Sequence, residues 1–356
     1  MGLGKSRSTK RTMLPYAAYF ASAALSFALI AGAAEGQTKP QGKTYVMKIT
    51  TPTINAAPDT YARNLAAAVK KDSGGRIAAE VFPASQLGSI PRQIEGTQFG
   101  AIQCAVIPPD FFVGVDPRFQ VLAAPGLISS MEQGQRVAAD PAVLKLMLSL
   151  AAKKGLRGVG LFMAEQSEII SRTPLRHLAD FKGKKIRVFA SDFQTVAMQR
   201  LGVTPVAMSL GDVLPALQQG AIDGAVAGIQ VFTGMQFFDA SKYITITHQP
   251  AIFLIVEVSR HWYESLPPDL QKVVSRDAAE QAVAINPQAE AIIKEAVKGW
   301  QAHGGELISL PANEQTEMLK TLASVGTDVS AKNPTLAAAY ETVRAAAQRA
   351  LGSAIQ

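Results

Sequence analysis

Apolar runs of strand length alternate with helical patterns along most of this 356-residue chain. TYVMKIT (44–50) is a strand, and Ala62, Leu65, Ala66 and Val69 then mark one helix face that Gly74-Gly75 stop. IAAEVF (77–82) is a second strand, Ser89 and Pro91 open a helix that Gly100 closes, and AIQCAVI (101–107) is a third strand. This βαβαβ rhythm requires crossover connections, so it predicts a parallel sheet with helices on both faces. The rhythm restarts at GVGLFMA (158–164) and EIISR (168–172), and continues through KIRVFA (185–190), TPVAMS (204–209) and GAVAG (224–228).

Two features argue for two lobes. YITITHQ (243–249) and AIFLIVEVS (251–259) make a nearly unbroken extended run of about 17 residues, long for one strand in one sheet. A chain passing from one lobe to the other produces such a run. A long helical region then starts at Pro267-Pro268-Asp269, with a kink or break expected at Pro287. The predicted fold class is α/β, arranged as two lobes. Residues 43–164 plus 252–292 form the first lobe in this reading, and 165–251 plus 293–356 the second.

The N-terminus carries an address. Lys5, Arg7, Lys10 and Arg11 precede an uncharged apolar stretch that ends at Ala31-Gly32-Ala33. A basic start, an apolar core and an Ala-x-Ala site describe a secretory signal peptide over residues 1–33, followed by a linker over 34–42. Removing residues 1–33 takes away four cations and no acid, lowering the net charge from +7 to +3. That is too mild a balance for a nucleic-acid partner. Cys104 is the only cysteine, so an exported chain of this kind relies on its own core rather than on disulfides. A product outside the cytoplasm is expected.

Catalytic constellations are scarce. His177, His248, His261 and His303 show no metal-ligand spacing, and there is no G-x-S-x-G elbow. Cys104, mid-strand in an apolar run, reads as a core residue. No enzyme activity, cofactor or metal is expected.

A binding site is better supported. In DFKGKKIRVFA (180–190), Lys182, Lys184 and Lys185 can point into water, whereas Arg187 sits between Ile186 and Val188. Ser191 and Gln194 have the spacing of a capping box, which starts a helix directly after the strand. Ligands bind at that edge of open α/β sheets, and the helix start adds an anion site. A buried arginine is seldom left alone. It either forms an internal salt bridge, with Asp180 or Asp223 as partner, or offers a guanidinium fork to a ligand carboxylate.

Seven stretches taken in order resemble one family, the solute-binding proteins of tripartite ATP-independent periplasmic (TRAP) transporters. They are VFPASQLGS (81–89), QIEGTQFGAI (93–102), LAAPGL (122–127), LADFKGKKIRV (178–188), ALQQGAIDG (216–224), KYITITHQ (242–249) and the long helix after WYESLPPDLQKVV (262–274). The resemblance implies a two-lobed α/β periplasmic binding protein, its mixed sheets flanked by helices and its ligand cleft between the lobes, that acts as a monomer, closes on a small organic anion and delivers it to membrane permease subunits. It places the carboxylate on Arg187, with Ser191 and Leu210 as further contacts and His248 near the site. Ala227 stands where many members have a ligand-touching Asn. A second arginine common in the family is absent, with Gln166 and Ser167 in its place, and Arg172 is the available substitute. Ile90, Pro108 and Phe111 replace polar positions that bind hydroxylated acids. One cation in apolar surroundings therefore predicts a carboxylate with an apolar or aromatic body, with a C4-dicarboxylate as the family's common alternative. A ligand-sensing module for a signalling partner and an exported hydrolase are the rival readings.

Overall fold

β1 (Tyr45–Thr50), α1 (Ala57–Asp72), β2 (Ile77–Phe82), α2 (Ile90–Gln98) and β3 (Cys104–Ile107) realise the first rhythm. The computed structural model describes residues 43–352, so the expected signal peptide and the whole linker lie outside the described residues. α1 buries Tyr61, Ala62, Leu65 and Val69 along one stripe, and β1 pairs in parallel with both β2 and β3. α3 (Met131–Ala139) and α4 (Pro141–Ser149) follow, each opened by a side-chain cap, Ser130 and Asp140 respectively. β4 (Leu156–Gln166) then ends this part of the chain.

The second rhythm comprises β5 (Glu168–Ser171), β6 (Lys185–Val188), α5 (Asp192–Arg200), β7 (Thr204–Ala207), α6 (Val213–Gln219), β8 (Gly224–Ala227), α7 (Ile229–Gly234) and β9 (Tyr243–Ile246). Gly220 closes α6 in the left-handed region at φ 73°, where a Cβ would be strained. β10 (Ala251–Ser259), α8 (Arg260–Ser265), α9 (Pro268–Ala302), β11 (Glu306–Ser309), α10 (Ala312–Leu322), α11 (Val325–Ser330) and α12 (Pro334–Gly352) complete the chain.

The strands form two sheets. The first has the order β2-β1-β3-β10-β4, and the second β11-β9-β5-β8-β6-β7. β10 runs antiparallel to β3 and β4, and β5 antiparallel to β8 and β9. The sheets are therefore mixed, with the parallel part where the βαβ rhythm lies. The long extended run does change sheets: β9 belongs to the second and β10 to the first, with the turn over 247–250 between them. The described residues belong to one compact unit.

α9 is a single 35-residue helix, and the break expected at Pro287 does not occur. Proline removes the bond to the carbonyl four residues earlier. That residue, Val283, is 64% exposed, so the carbonyl can turn to water rather than disrupt the helix. α9 packs on α1 and β4 at one end and on α7 and β11 at the other, linking the two sheets. α10 and α11 pack on α5, whereas α12 returns to α3 and α4. Among the described residues, no helix is long and apolar enough to cross a membrane.

Candidate functional site

β6 has one exposed residue, Lys185, and then three buried ones, Ile186, Arg187 and Val188. Arg187 is among the largest fully buried side chains of the protein. Its Nε donates to the Met208 carbonyl at 3.0 Å and its Nη1 to the Val226 carbonyl at 2.8 Å. These carbonyls follow and belong to the flanking strands β7 and β8, so backbone holds the guanidinium in one orientation. Two of its five N–H donors are thereby used, which leaves three for a ligand. The Phe189 ring lies 4.7 Å and the Phe111 ring 5.8 Å from Cζ, and the two rings stack on each other at 5.3 Å.

The internal ion pairs weighed from the sequence are not formed. Asp180 accepts from the backbone of Arg176 and His177, and Asp223 from the backbone of Lys185. Burial lowers Arg187 to about 9, opposed by the charge of Asp110, so it remains a cation at neutral pH. Burial likewise lifts Asp110 to about 7, against its own backbone bond, the Ser191 side chain and Arg187. The capping box expected at Ser191 is absent: Gln194 Oε1 takes the Phe189 amide at 3.0 Å instead. The helix start is thus tied back to the strand, and the Ser191 hydroxyl is left beside Asp110.

Arg187 lines a cavity of about 30 Å³ with Pro52, Thr53, Pro58, Ile90, Pro108, Phe111, Ala164, Glu165, Phe189, Leu210, Ala227, Val231, Ile252 and Leu254. Both sheets contribute walls. Room of this size holds about two waters, so an organic acid enters only if the walls part. Glu165, at the end of β4, is the second polar element. Its Oε2 accepts from Gln230 N at 3.1 Å, and a Cβ at Gly228 would lie 1.6 Å from its carboxyl carbon. Gly228 therefore makes room for this carboxyl. Burial raises Glu165 well above the ordinary value, Glu168 adds to the rise, and the Gln230 bonds oppose it.

Hydrogen bonds cross between the parts of the chain that carry the two sheets. Ala57 N donates to Gln230 Oε1 at 2.6 Å, Ile90 N to Ser209 Oγ at 3.2 Å and Asp192 N to Gln120 Oε1 at 2.8 Å. These side chains hold the two parts of the chain together. Ser209→Ala should cost about 1 kcal/mol of closed-state stability, seen as a larger radius of gyration by solution X-ray scattering without ligand.

Six of the residues expected from the sequence meet at this cavity: Arg187, Leu210, Ala227, Ile90, Phe111 and Pro108. Ser191 lies behind it, beside Asp110. His248 does not line it; it sits in the turn between the sheets at φ 54°, with Nδ1 3.2 Å from Glu168 Oε1 and the side chain 55% exposed. Arg172 is exposed beside Gly220, away from the cavity, so it does not replace the missing second arginine. Lys182 and Lys185 are exposed, and Lys184 bonds Thr173 at the surface. Sequence reasoning missed Phe189, Glu165 and Asp110, although Glu165 is an acid directly after the apolar run GVGLFMA. Among the described residues, no cluster of three or more potential metal ligands occurs.

Two sheets, a connecting helix and a largely apolar cavity between them, with one anchored cation, define a two-lobed protein with a small-ligand cavity. The chain belongs to family 7 of the bacterial extracellular solute-binding proteins, whose model matches residues 54–333. Among curated proteins it is 30% identical to the uncharacterised protein YiiZ of Salmonella typhimurium, over 58% of this chain and 63% of that one. It is 27% identical to the C4-dicarboxylate-binding periplasmic protein DctP of Rhodobacter capsulatus, over 76% and 82%. The chain thus spans about 63% of the length of the first of these relatives. Among solved structures, a TRAP periplasmic solute binding protein from Desulfovibrio salexigens with bound orotic acid superposes at TM-score 0.77 and 23% identity, over 85% of this chain and 100% of that one. The sugar acid binding protein of Advenella mimigardefordensis in complex with galactonate gives 0.81 and 20%, over 86% and 99%. These likenesses establish the two-lobed fold.

Proposed function

We propose that this protein is a periplasmic receptor of a TRAP transporter that captures a small organic acid and delivers it to the membrane permease. The observation that carries the reading is Arg187, a buried cation with three donors to spare in a cavity whose lining is apolar apart from Glu165 and Thr53. Ile90, Pro108, Phe111, Leu210 and Ala227 give no partner to ligand hydroxyls, and an unpaired buried hydroxyl is costly. An acid with an apolar or aromatic body is therefore favoured over a sugar acid. The ligand of the Rhodobacter relative makes a C4-dicarboxylate the second reading, but among the described residues no second cation lines this cavity. The lobes divide near residues 164–168 and 247–251, where the chain crosses between sheets. The small closed cavity fits a receptor that opens at this hinge to load.

A thermal-shift panel tests the reading. A ligand at 100 times its Kd adds about 2.7 kcal/mol, so apolar and aromatic acids should raise Tm clearly while sugar acids leave it unchanged. Larger shifts with sugar acids than with apolar ones would refute the pocket argument.

A further inference from the structure

We propose that Asp110 is a proton site coupled to the acid site: the protein takes up a proton as a ligand carboxylate settles on Arg187, and holds that acid less tightly as pH rises. The inference rests on the reading of the cavity as a carboxylate site and concerns the buried acid beside it.

Asp110 is 5% exposed and stands in the turn Pro109–Phe112. Its near neighbours Pro108 and Phe111 line the cavity, while Asp110 itself does not. Two neutral donors reach it from the start of α5 in the other lobe. Gln194 Nε2 lies 3.5 Å from Oδ1, at the limit of a hydrogen bond. The Ser191 hydroxyl, buried and without a partner elsewhere among the described residues, lies against the same carboxyl. Arg187 acts on Asp110 through its charge alone, because the guanidinium bonds the Met208 and Val226 carbonyls. The other charges around the turn are engaged or solvated. Arg118 of the following turn bonds Asp116 at 2.6 Å, and Arg92 and Glu95 of α2 and Asp192 of α5 are exposed. Glu257 of β10 is buried and raised by burial alone.

Burial lifts Asp110 to about 7 and Arg187 opposes the rise, so near neutral pH the empty protein holds Asp110 partly ionised. An acid on Arg187 changes this balance. Its carboxylate offsets the cation that favoured ionised Asp110 and adds a like charge nearby, and one cation does not keep two buried carboxylates ionised. Asp110 therefore rises further and takes a proton from solvent. The bound form holds that proton more firmly than the empty one, so its contribution to affinity is complete below about 7 and is lost as pH climbs to the higher bound value. Glu165 does not share in the exchange. Burial already holds it well above the ordinary carboxylate value, so it carries its proton before the acid arrives.

The test is calorimetry on the purified full chain with benzoate, hexanoate and succinate, each in HEPES and in Tris, whose different ionisation enthalpies report the protons exchanged. With an acid that binds, roughly half a proton or more should be taken up at pH 7.5, and affinity should be about five- to tenfold weaker at pH 8 than at pH 6. Asp110→Asn, which keeps the shape and cannot ionise, should take up no proton and change affinity by less than about twofold over that range. Ser191→Ala is the milder variant. It removes a donor that favours the ionised form, so the midpoint of the affinity loss should move to higher pH. His248→Gln, in the turn between the sheets and outside the cavity lining, should keep the wild-type proton uptake. An acid that binds the wild-type protein without proton uptake overturns the inference, even if neither Asp110→Asn nor Ser191→Ala folds. Uptake that survives in folded Asp110→Asn, or a midpoint that stays in place in Ser191→Ala, gives the proton to another group and overturns it too. If none of the three acids binds, the carboxylate-receptor reading falls and this inference with it; if an acid binds equally at pH 6 and pH 8, only this inference falls.

Discussion

Arg187→Ala should lower affinity for the best-binding acid by about 2–5 kcal/mol, the cost of truncating one member of a desolvated charge pair. Calorimetry on the acid that gives the largest thermal shift with the wild-type protein measures it. The loss arises in two places. The ligand carboxylate loses its only cation among the cavity residues, and the Met208 and Val226 carbonyls lose the donors that fill them. The second effect also lowers stability, so the thermal unfolding of the variant must be followed alongside. Arg187→Lys separates the two contributions. Lysine keeps a charge but not the planar fork, and it cannot reach both carbonyls and a carboxylate together. Its affinity should fall between wild type and alanine. A folded Arg187→Ala protein with unchanged affinity would remove Arg187 from the site.

The position of Arg187 was legible before its partners were. A cation flanked by Ile186 and Val188 faces the opposite side of the strand from both, and because both faces of this strand are covered the structure buries it too. The sequence could not tell whether its partner was an internal acid or a ligand, because the nearby candidates, Asp180 and Asp223, are placed by turns. In the structure both are consumed by backbone amides. The group that does neighbour Arg187 electrostatically, Asp110, comes from the short turn Pro109–Phe112 of the other lobe. Contacts of that kind depend on how two lobes meet, which no local pattern encodes.

The same distinction explains the other differences. Strand and helix periods follow from local sequence, and the change of sheet between β9 and β10 follows from a run too long for one strand. The Ser191 and Gln194 spacing fitted a capping box, but Phe189 N competes for the same Gln194 oxygen and wins. Pro287 has the signature of a helix break, yet its position beside exposed Val283 leaves the unpaired carbonyl accessible to water. His248 and Arg172 were drawn toward the site by resemblance alone, and neither lines the cavity. His248 instead joins the turn between the sheets to Glu168. The polar character of the site accordingly comes down to Arg187 and Glu165, held by strand ends from opposite sheets.

Glu257→Met should stabilise the protein, and by more as pH rises. Glu257 lies in β10, fully buried, and neither carboxyl oxygen has a hydrogen-bonding partner among the described residues. Its register partners are Ala105 and Gly158, and neither side chain can donate to it. Burial alone raises this carboxyl well above its ordinary value of 4.5. The folded chain therefore keeps a proton that the unfolded chain releases, and stability falls as pH climbs above that value. The slope is about 1.4 kcal/mol per pH unit for one such group, until the folded value is passed. Methionine has nearly the same length and no polar atom to desolvate. Near pH 5 the gain should be about 1–3 kcal/mol, the cost of an unsatisfied buried group, and it should widen through pH 6, 7 and 8. Glu165 has the same sign of shift and stays in place, so the variant flattens the pH profile without levelling it. Urea midpoints at the four pH values measure the effect, and a gain that does not grow with pH would mean that Glu257 is ionised in the folded state. Because Glu257 does not line the cavity, acid binding should be unchanged within twofold, about 0.4 kcal/mol.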